Sequence, residues 1–418
     1  MRKLAIMLGF CLLGSTLTSC ALPNAISNFV DSIEHETGGS KKIEYTDEAK
    51  KSGFLLEQPT TGAGIGKDEF LIQGSIAETK AGDQLLVRIS KEGQVGEKVI
   101  SIKDKKFRQP VPLFYGKGKH EVEILIPDPS KKNYYFSAAR FTVENTSSIQ
   151  QVPMRYNPSF YKEYGVTLEQ PIAGGKIYDG KVLLQGSVEP PSKDTKPVKY
   201  LVVRADKGED KSNYYIPVKD QKFSQWIPLR FGAGDYKVQL TVGDLHYSPV
   251  VSFEVKNSVT ADLRDLLPGS GMESDNPEII SLSKQITANA SSPMEKARAI
   301  YKHVATNVSY DLKKKDNYWD DGAIKTLREG KGICHDYALT TIALLRASEI
   351  PARYIGGNAG EPHAWVEAKI GDKWITMDPT WGSGYSVGKK FVKAYDPSYF
   401  NPNPASFNKT HKKSEVIY

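Results

Sequence analysis

Four short peptides occur twice in this chain, in the same order. Leu56-Glu57-Gln58-Pro59 returns as Leu168-Glu169-Gln170-Pro171, and Ile72-Gln73-Gly74-Ser75-Ile76 as Leu184-Gln185-Gly186-Ser187-Val188. Lys103-Asp104-Lys105-Lys106-Phe107 returns as Lys219-Asp220-Gln221-Lys222-Phe223, and Phe141-Thr142-Val143-Glu144-Asn145 as Phe253-Glu254-Val255-Lys256-Asn257. The offset is 112, rises to 116 and returns to 112, so loops changed length while the elements kept their order. One unit therefore folds twice, over about 54–145 and 166–257. Within each copy apolar residues alternate over short runs, as in Leu85–Ile89, Val122–Ile126 and Val238–Val242, between Gly, Pro and Asp-Gly clusters. That is the period of strands, not of helices.

About ninety residues of short strands and turns per copy predict an immunoglobulin-like β-sandwich. No cysteine pair is available to bridge its sheets, so each core would hold by packing alone. The run from Gly62 to Lys67 fails as a phosphate loop: its spacing is wrong, Asp68 stands where a hydroxyl should meet Mg²⁺, and a strand follows instead of a helix. With no visible chemistry, the copies fit spacer or adhesion duty. A length of 418 residues allows two or three domains. Charged residues at 25% and hydrophobic residues at 39% suit folded cores, and a mean hydropathy of −0.43 excludes a polytopic membrane protein. The net charge of +7 is spread in short lysine pairs, not a basic stripe, which argues against nucleic acid as a partner.

The first residues read as an address. Arg2 and Lys3 precede an apolar stretch from Leu4 to Leu13, too short to span a bilayer, which takes about 20 helical residues. Leu17-Thr18-Ser19-Cys20 follows and resembles the lipobox of bacterial lipoproteins. That resemblance implies removal of residues 1–19 and a lipid anchor on Cys20, on the extracytoplasmic face of the cell membrane. The mature chain would keep 54 basic against 49 acidic side chains, a net +5, suited to anionic lipid or wall polymer. Residues 20–53 read as a polar tether. Cys11 would leave with the signal and Cys20 would carry the lipid, so Cys334 has no partner left for a disulfide. A lone exported thiol is either buried and inert or kept for its reactivity.

Past Asn257 the pattern changes. A linker is expected at 146–165 between the repeats and another at 258–275, where Pro268-Gly269-Ser270-Gly271 stands. Asn276-Pro277-Glu278 and Ser292-Pro293-Met294-Glu295 read as helix N-termini, the second with a capping box. Ala297, Ile300, Tyr301, Val304 and Val308 line one helical face. A further helix begins near Cys334 and is apolar nearly all round from Ala338 to Leu345, so it should be buried. Strands follow at Ala352–Ile355, His363–Ile370 and Lys373–Asp378, the last two joined by a Gly371-Asp372 turn. Residues 276–418 thus form an α+β domain with a C-terminal tail.

Cys334 follows Gly330-Lys331-Gly332-Ile333 at a helix N-terminus, where free N–H groups favour a thiolate nucleophile. Counting across the Gly371-Asp372 turn sets His363 opposite position 380, so the Asp378 carboxylate can reach the imidazole and orient it. An oxyanion would need two donors: the Cys334 backbone N–H and a side chain, for which Tyr310 and Trp319 are candidates beside their reading as core aromatics. Helical geometry points His335 about 100° away from Cys334. His35, His120, His246 and His411 lie in loop, strand or tail contexts with no partner motif. No His/Cys/Asp cluster has metal-ligand spacing, and no cofactor is implied.

Asn307-Val308-Ser309-Tyr310-Asp311, Gly332-Ile333-Cys334, His363-Ala364-Trp365-Val366-Glu367 and Asp378-Pro379-Thr380-Trp381, in that order, resemble the transglutaminase-like superfamily of papain-like cysteine enzymes. The resemblance covers about 261–411. Tyr399-Phe400 and the run from Phe407 to His411 resemble its branch of cytokinesis-associated proteins. By resemblance, Cys334 is the nucleophile, His363 the base and Asp378 the orienter, acting on protein or peptide amides by transamidation, deamidation or hydrolysis. Some members have lost activity. Three readings follow: a surface-anchored cysteine acyl-transfer enzyme, a catalytically silent envelope-binding lipoprotein, and a structural spacer.

Overall fold

Alternation fixes the first two thirds of the molecule. The computed structural model describes residues 42–80, 83–131, 134–189, 197–243, 248–314 and 321–417. In the first repeat, Gln84–Lys91, Gln94–Ser101, Gly118–Pro127 and Tyr135–Asn145 lie in one antiparallel sheet, with Ala63–Gly66 added parallel to Tyr135–Asn145. Leu55–Gln58, Glu69–Ser75 and Lys106–Pro112 form a second, three-stranded sheet. Phe70, Ile72, Phe107 and Val111 from the small sheet share one core with Leu85, Val87, Val122, Ile124 and Phe141 from the large one. Each such side chain contributes about 1.5–3 kcal/mol on leaving water. The second repeat has the same strand order, with Leu55–Gln58 replaced by Val166–Gln170 and Tyr135–Asn145 by Val251–Asn257. The repeated Lys-Asp-x-Lys-Phe peptides make the same turn: Asp104 and Lys105 have φ of 51° and 61°, Asp220 and Gln221 of 49° and 61°. Two consecutive left-handed residues suit a turn between twisted strands.

The repeat is longer than its sequence signature. Glu44–Tyr45 pairs with Arg140 and Ala139, and a helix at Asp47–Ser52, capped by Thr46, buries Ala49. These residues were expected in the tether. Arg155–Tyr156 and a helix at Pro158–Glu163, capped by Asn157, precede the second copy in the same way, inside the expected linker 146–165. Tyr161 is buried there, and its hydroxyl accepts from Leu168 N at 2.8 Å.

The segment 258–275 is strapped down on both sides. Arg230 of the second repeat is fully buried and donates to the Arg264 carbonyl at 3.2 Å, to the Pro268 carbonyl and to the Tyr214 hydroxyl at 2.8 Å. Arg346, at the end of the Cys334 helix, donates to the Leu267 carbonyl at 2.6 Å and twice to that of Ala352. Burial, with Arg230 nearby, pushes Arg346 down to about 9. Glycine and proline alone suggested a loose linker; two buried guanidiniums supply the donors its carbonyls need.

The C-terminal unit starts with helices at Pro277–Thr287, Pro293–Asn307 and Ala323–Glu329, which pack with the Cys334–Ala347 helix. Asn276 accepts from Glu278 N at 2.8 Å and Ser292 from Glu295 N at 3.2 Å, as the caps required. Glu295 accepts from Ser291 N at 2.7 Å, next to the cap residue. Asp336 to Arg346 are buried throughout. An antiparallel sheet follows in the order Lys373–Met377, Pro362–Ile370, Ala352–Asn358, Lys412–Ile417. The chain is thus mostly β-sheet, with its few long helices gathered toward the C-terminus. Among the described residues no helix is long and apolar enough to cross a membrane.

Candidate active site

The N-terminus of the Cys334 helix is held by its own third residue. Asp336 accepts from Ile333 N at 2.7 Å and pairs with Lys314 at 2.6 Å, which also bonds Asp321 at 2.8 Å. A Cβ on Gly332 would sit 2.5 Å from that of Asp336, so glycine is what lets the cap close beneath Cys334. Cys334 itself is half-buried.

His363 comes from the strand alongside. Its partner strand pairs in the counted register, Ile370 opposite Lys373 through Val366 opposite Met377, and the ladder ends just before Asp378. There the chain turns, and Asp378 points back: its Oδ2 is 2.8 Å from His363 Nε2. Thr380 N and Trp381 N donate to the other oxygen at 2.9 and 3.0 Å. Asp378 is fully buried and His363 nearly so.

Burial opposes charge on both groups and is outweighed in both. For His363, hydrogen bonds to Asp378 and Cys334 prevail and push it up to about 10. For Asp378, bonds from His363 and His411 hold the carboxyl below its ordinary 3.8. Asp378 takes His363 Nε2, which leaves Nδ1 as the ring nitrogen open to a reacting group. A carboxylate, an imidazole and a thiol in series can hold a proton on the ring and expose sulfur as the nucleophile.

Trp365 stacks at 6.1 Å from the His363 ring and Trp381 lies at 5.9 Å, so the imidazole is walled by indoles. Tyr310 lies beside the helix entry, its residue paired with Gly332 and its ring 6.1 Å from Phe391. Trp319 and Cys20 lie outside the described residues, as does His246. His335 bonds the Tyr354 hydroxyl at 3.1 Å and belongs to the sheet side.

His411 was passed over in the sequence and is in the centre. Its ring is buried and its Nε2 lies 3.1 Å from Asp378 Oδ2. The run from Phe407 to His411 carries a family resemblance, but no spacing pairs its histidine with Asp378, 33 positions upstream. His363, Asp378 and His411 bring ligand-type atoms within 4.8 Å of one another, a cluster invisible to sequence spacing. A cation there would have to displace the protons that now join both imidazoles to the carboxylate.

Residues 280–379 match the family model of the transglutaminase-like superfamily, so the C-terminal unit contains a transglutaminase-like domain. The chain is 28% identical over 148 residues to the kyphoscoliosis peptidase of Mus musculus, and 27% to that of Homo sapiens. Each match covers 31% of this chain and 22% of the relative, so the likeness spans about a fifth of those proteins. The periplasmic domain of TgpA from Pseudomonas aeruginosa is 15% identical, with 82% of this chain and 95% of that one aligned at a TM-score of 0.24. A superposition that loose says nothing of mechanism.

Proposed function

We propose that this transglutaminase-like domain catalyses cysteine-dependent acyl transfer on protein or peptide amides, with Cys334 as nucleophile, His363 as acid and base, and Asp378 as its orienter. The observation that carries the reading is the buried His363–Asp378 bond of 2.8 Å, with the Cys334 thiol among the groups that raise His363. The thiolate sulfur attacks the amide carbon. His363 passes its proton to the departing nitrogen as the C–N bond breaks, leaving a thioester. Water or an amine then attacks, gives its proton to His363, and frees the thiolate. Tyr310 stands two residues from the nucleophile through its pairing with Gly332, and is the side chain we assign as second oxyanion donor beside the Cys334 N–H.

In this reading each repeat is an immunoglobulin-like sandwich that positions the enzyme. Cys20 anchors the chain by lipid at the outer face of the cell membrane, and the substrate is a wall-associated protein or peptide. Incubation with a glutamine-bearing protein and a fluorescent primary amine, following both amine incorporation and ammonia release, tests the chemistry. Wild type should give at least one product and Cys334→Ala neither. Equal product from the alanine variant would sink the assignment, and no thioester or product from either would favour the silent envelope-binding protein.

A further inference from the structure

Asp378 receives four donors, and the proposed chemistry accounts for three. Thr380 N and Trp381 N hold Oδ1, and His363 takes one direction on Oδ2. The fourth donor is His411. A carboxylate can only accept, so His411 Nε2 carries the proton, while Nδ1 lies 2.8 Å from the Thr410 hydroxyl, which also reaches the Phe407 carbonyl at 3.1 Å. The ring cannot swing away. It stacks on Phe407 at 3.8 Å and 14°, and meets the edges of Trp381 at 4.5 Å and Trp365 at 5.3 Å.

Two elements bring it there. The helix Pro404–Thr410, capped by Asn403, ends at His411. The next strand, Lys412–Ile417, pairs along Ala352–Asn358, which in turn pairs with the strand that carries His363. His363 and His411 are therefore referred to one sheet, and Asp378 hangs between them. Without the fourth donor, Oδ2 would keep an unmet acceptor direction in a dry pocket. The carboxylate would then turn to share its bond with His363 between two directions.

We propose that His411 is a positioning residue: by filling the second acceptor direction of Asp378 Oδ2 it fixes the carboxylate, and through it the orientation of His363 toward Cys334. This rests on the catalytic reading of Cys334, His363 and Asp378. Two substitutions separate hydrogen bonding from packing. His411→Phe keeps a ring between Phe407 and Trp381 and removes the donor. His411→Gln removes the ring and keeps an N–H that can reach the same oxygen.

The experiment is alkylation of the full chain by iodoacetamide at about pH 6, read by mass spectrometry on the tryptic peptide from Gly332 to Arg346, with thermal melts alongside. In wild type, Cys334 should outpace a free thiol, which is mostly protonated at that pH. His411→Phe should slow the reaction about tenfold, the cost of one hydrogen bond to a charged group. His411→Gln should restore most of the rate. A phenylalanine variant as fast as wild type, or a glutamine variant as slow as phenylalanine, overturns the proposal while the catalytic reading stands. A wild-type Cys334 no faster than a free thiol overturns both. If the phenylalanine variant melts early, the rates are compared well below its melting temperature, where slowing that His411→Gln reverses supports the proposal and a rate equal to wild type overturns it.

Discussion

Asp378 has no access to water, so each of its acceptor directions has to meet a protein donor, and the two backbone N–H groups and two imidazoles do so. Replacing it with Asn keeps the shape and removes the charge. On the proposed roles, Asp378→Asn should cost roughly 10⁴ in turnover, against roughly 10⁶ for Cys334→Ala or His363→Ala. Equal losses in all three would argue that the carboxylate does more than orient. The ring also links activity to stability. His363 rises from 6.5 to about 10 on folding, so its contribution is complete below about 6.5 and drains away as the pH climbs through 10. Asp378, held below 3.8, acts in the opposite sense and is lost as acid protonates it. The melting-temperature advantage of wild type over His363→Gln should therefore be largest near about pH 6 and shrink toward about pH 10. An advantage that grows with pH would contradict the ion pair. Hairpin counting could set Asp378 within reach of His363 because it is local, whereas His411 reaches its carboxylate only through tertiary packing.

Helix caps and strand register could be read from the sequence because each depends on a few adjacent residues. The short elements at 44–52 and 155–163 could not, since two-residue strands and six-residue helices bury too little to leave a period. Close approach between strands is equally silent until the fold is in view. Gly357 is such a place: a Cβ there would meet the Lys412 carbonyl at 2.3 Å and the Trp365 ring at 2.5 Å. Gly357→Ala should therefore push the Lys412–Ile417 strand outward and cost about 1–3 kcal/mol. Hydrogen exchange at residues 412–417 checks it directly. Protection equal to wild type would mean that the sheet absorbs the methyl group elsewhere.

Across the whole molecule, the duplication and the change of period after Asn257 were plain in the sequence, while the way the parts are joined was not. Arg230 and Arg346 bind the carbonyls of one connecting segment from opposite sides, so the second repeat and the C-terminal unit share a buried polar seam. Calorimetry of the full chain should show these two parts melting in one transition. Arg230→Met removes one guanidinium and leaves its carbonyl partners unmet, which should split that transition and lower its second half. An unchanged single peak would mean that backbone bonds such as Leu263 N to the Arg230 carbonyl, at 2.8 Å, suffice to hold the segment. The returning strand has a different consequence, in time. A ribosome, or an export channel fed from the N-terminus, delivers Cys334, His363 and Asp378 before His411 and the strand that anchors it. On the role inferred for His411, an unfinished chain carries its sulfur with the relay still slack. Docking of the His411 strand is then also the arming step, and a nascent chain passing close to other polypeptides stays quiet until that strand is in place.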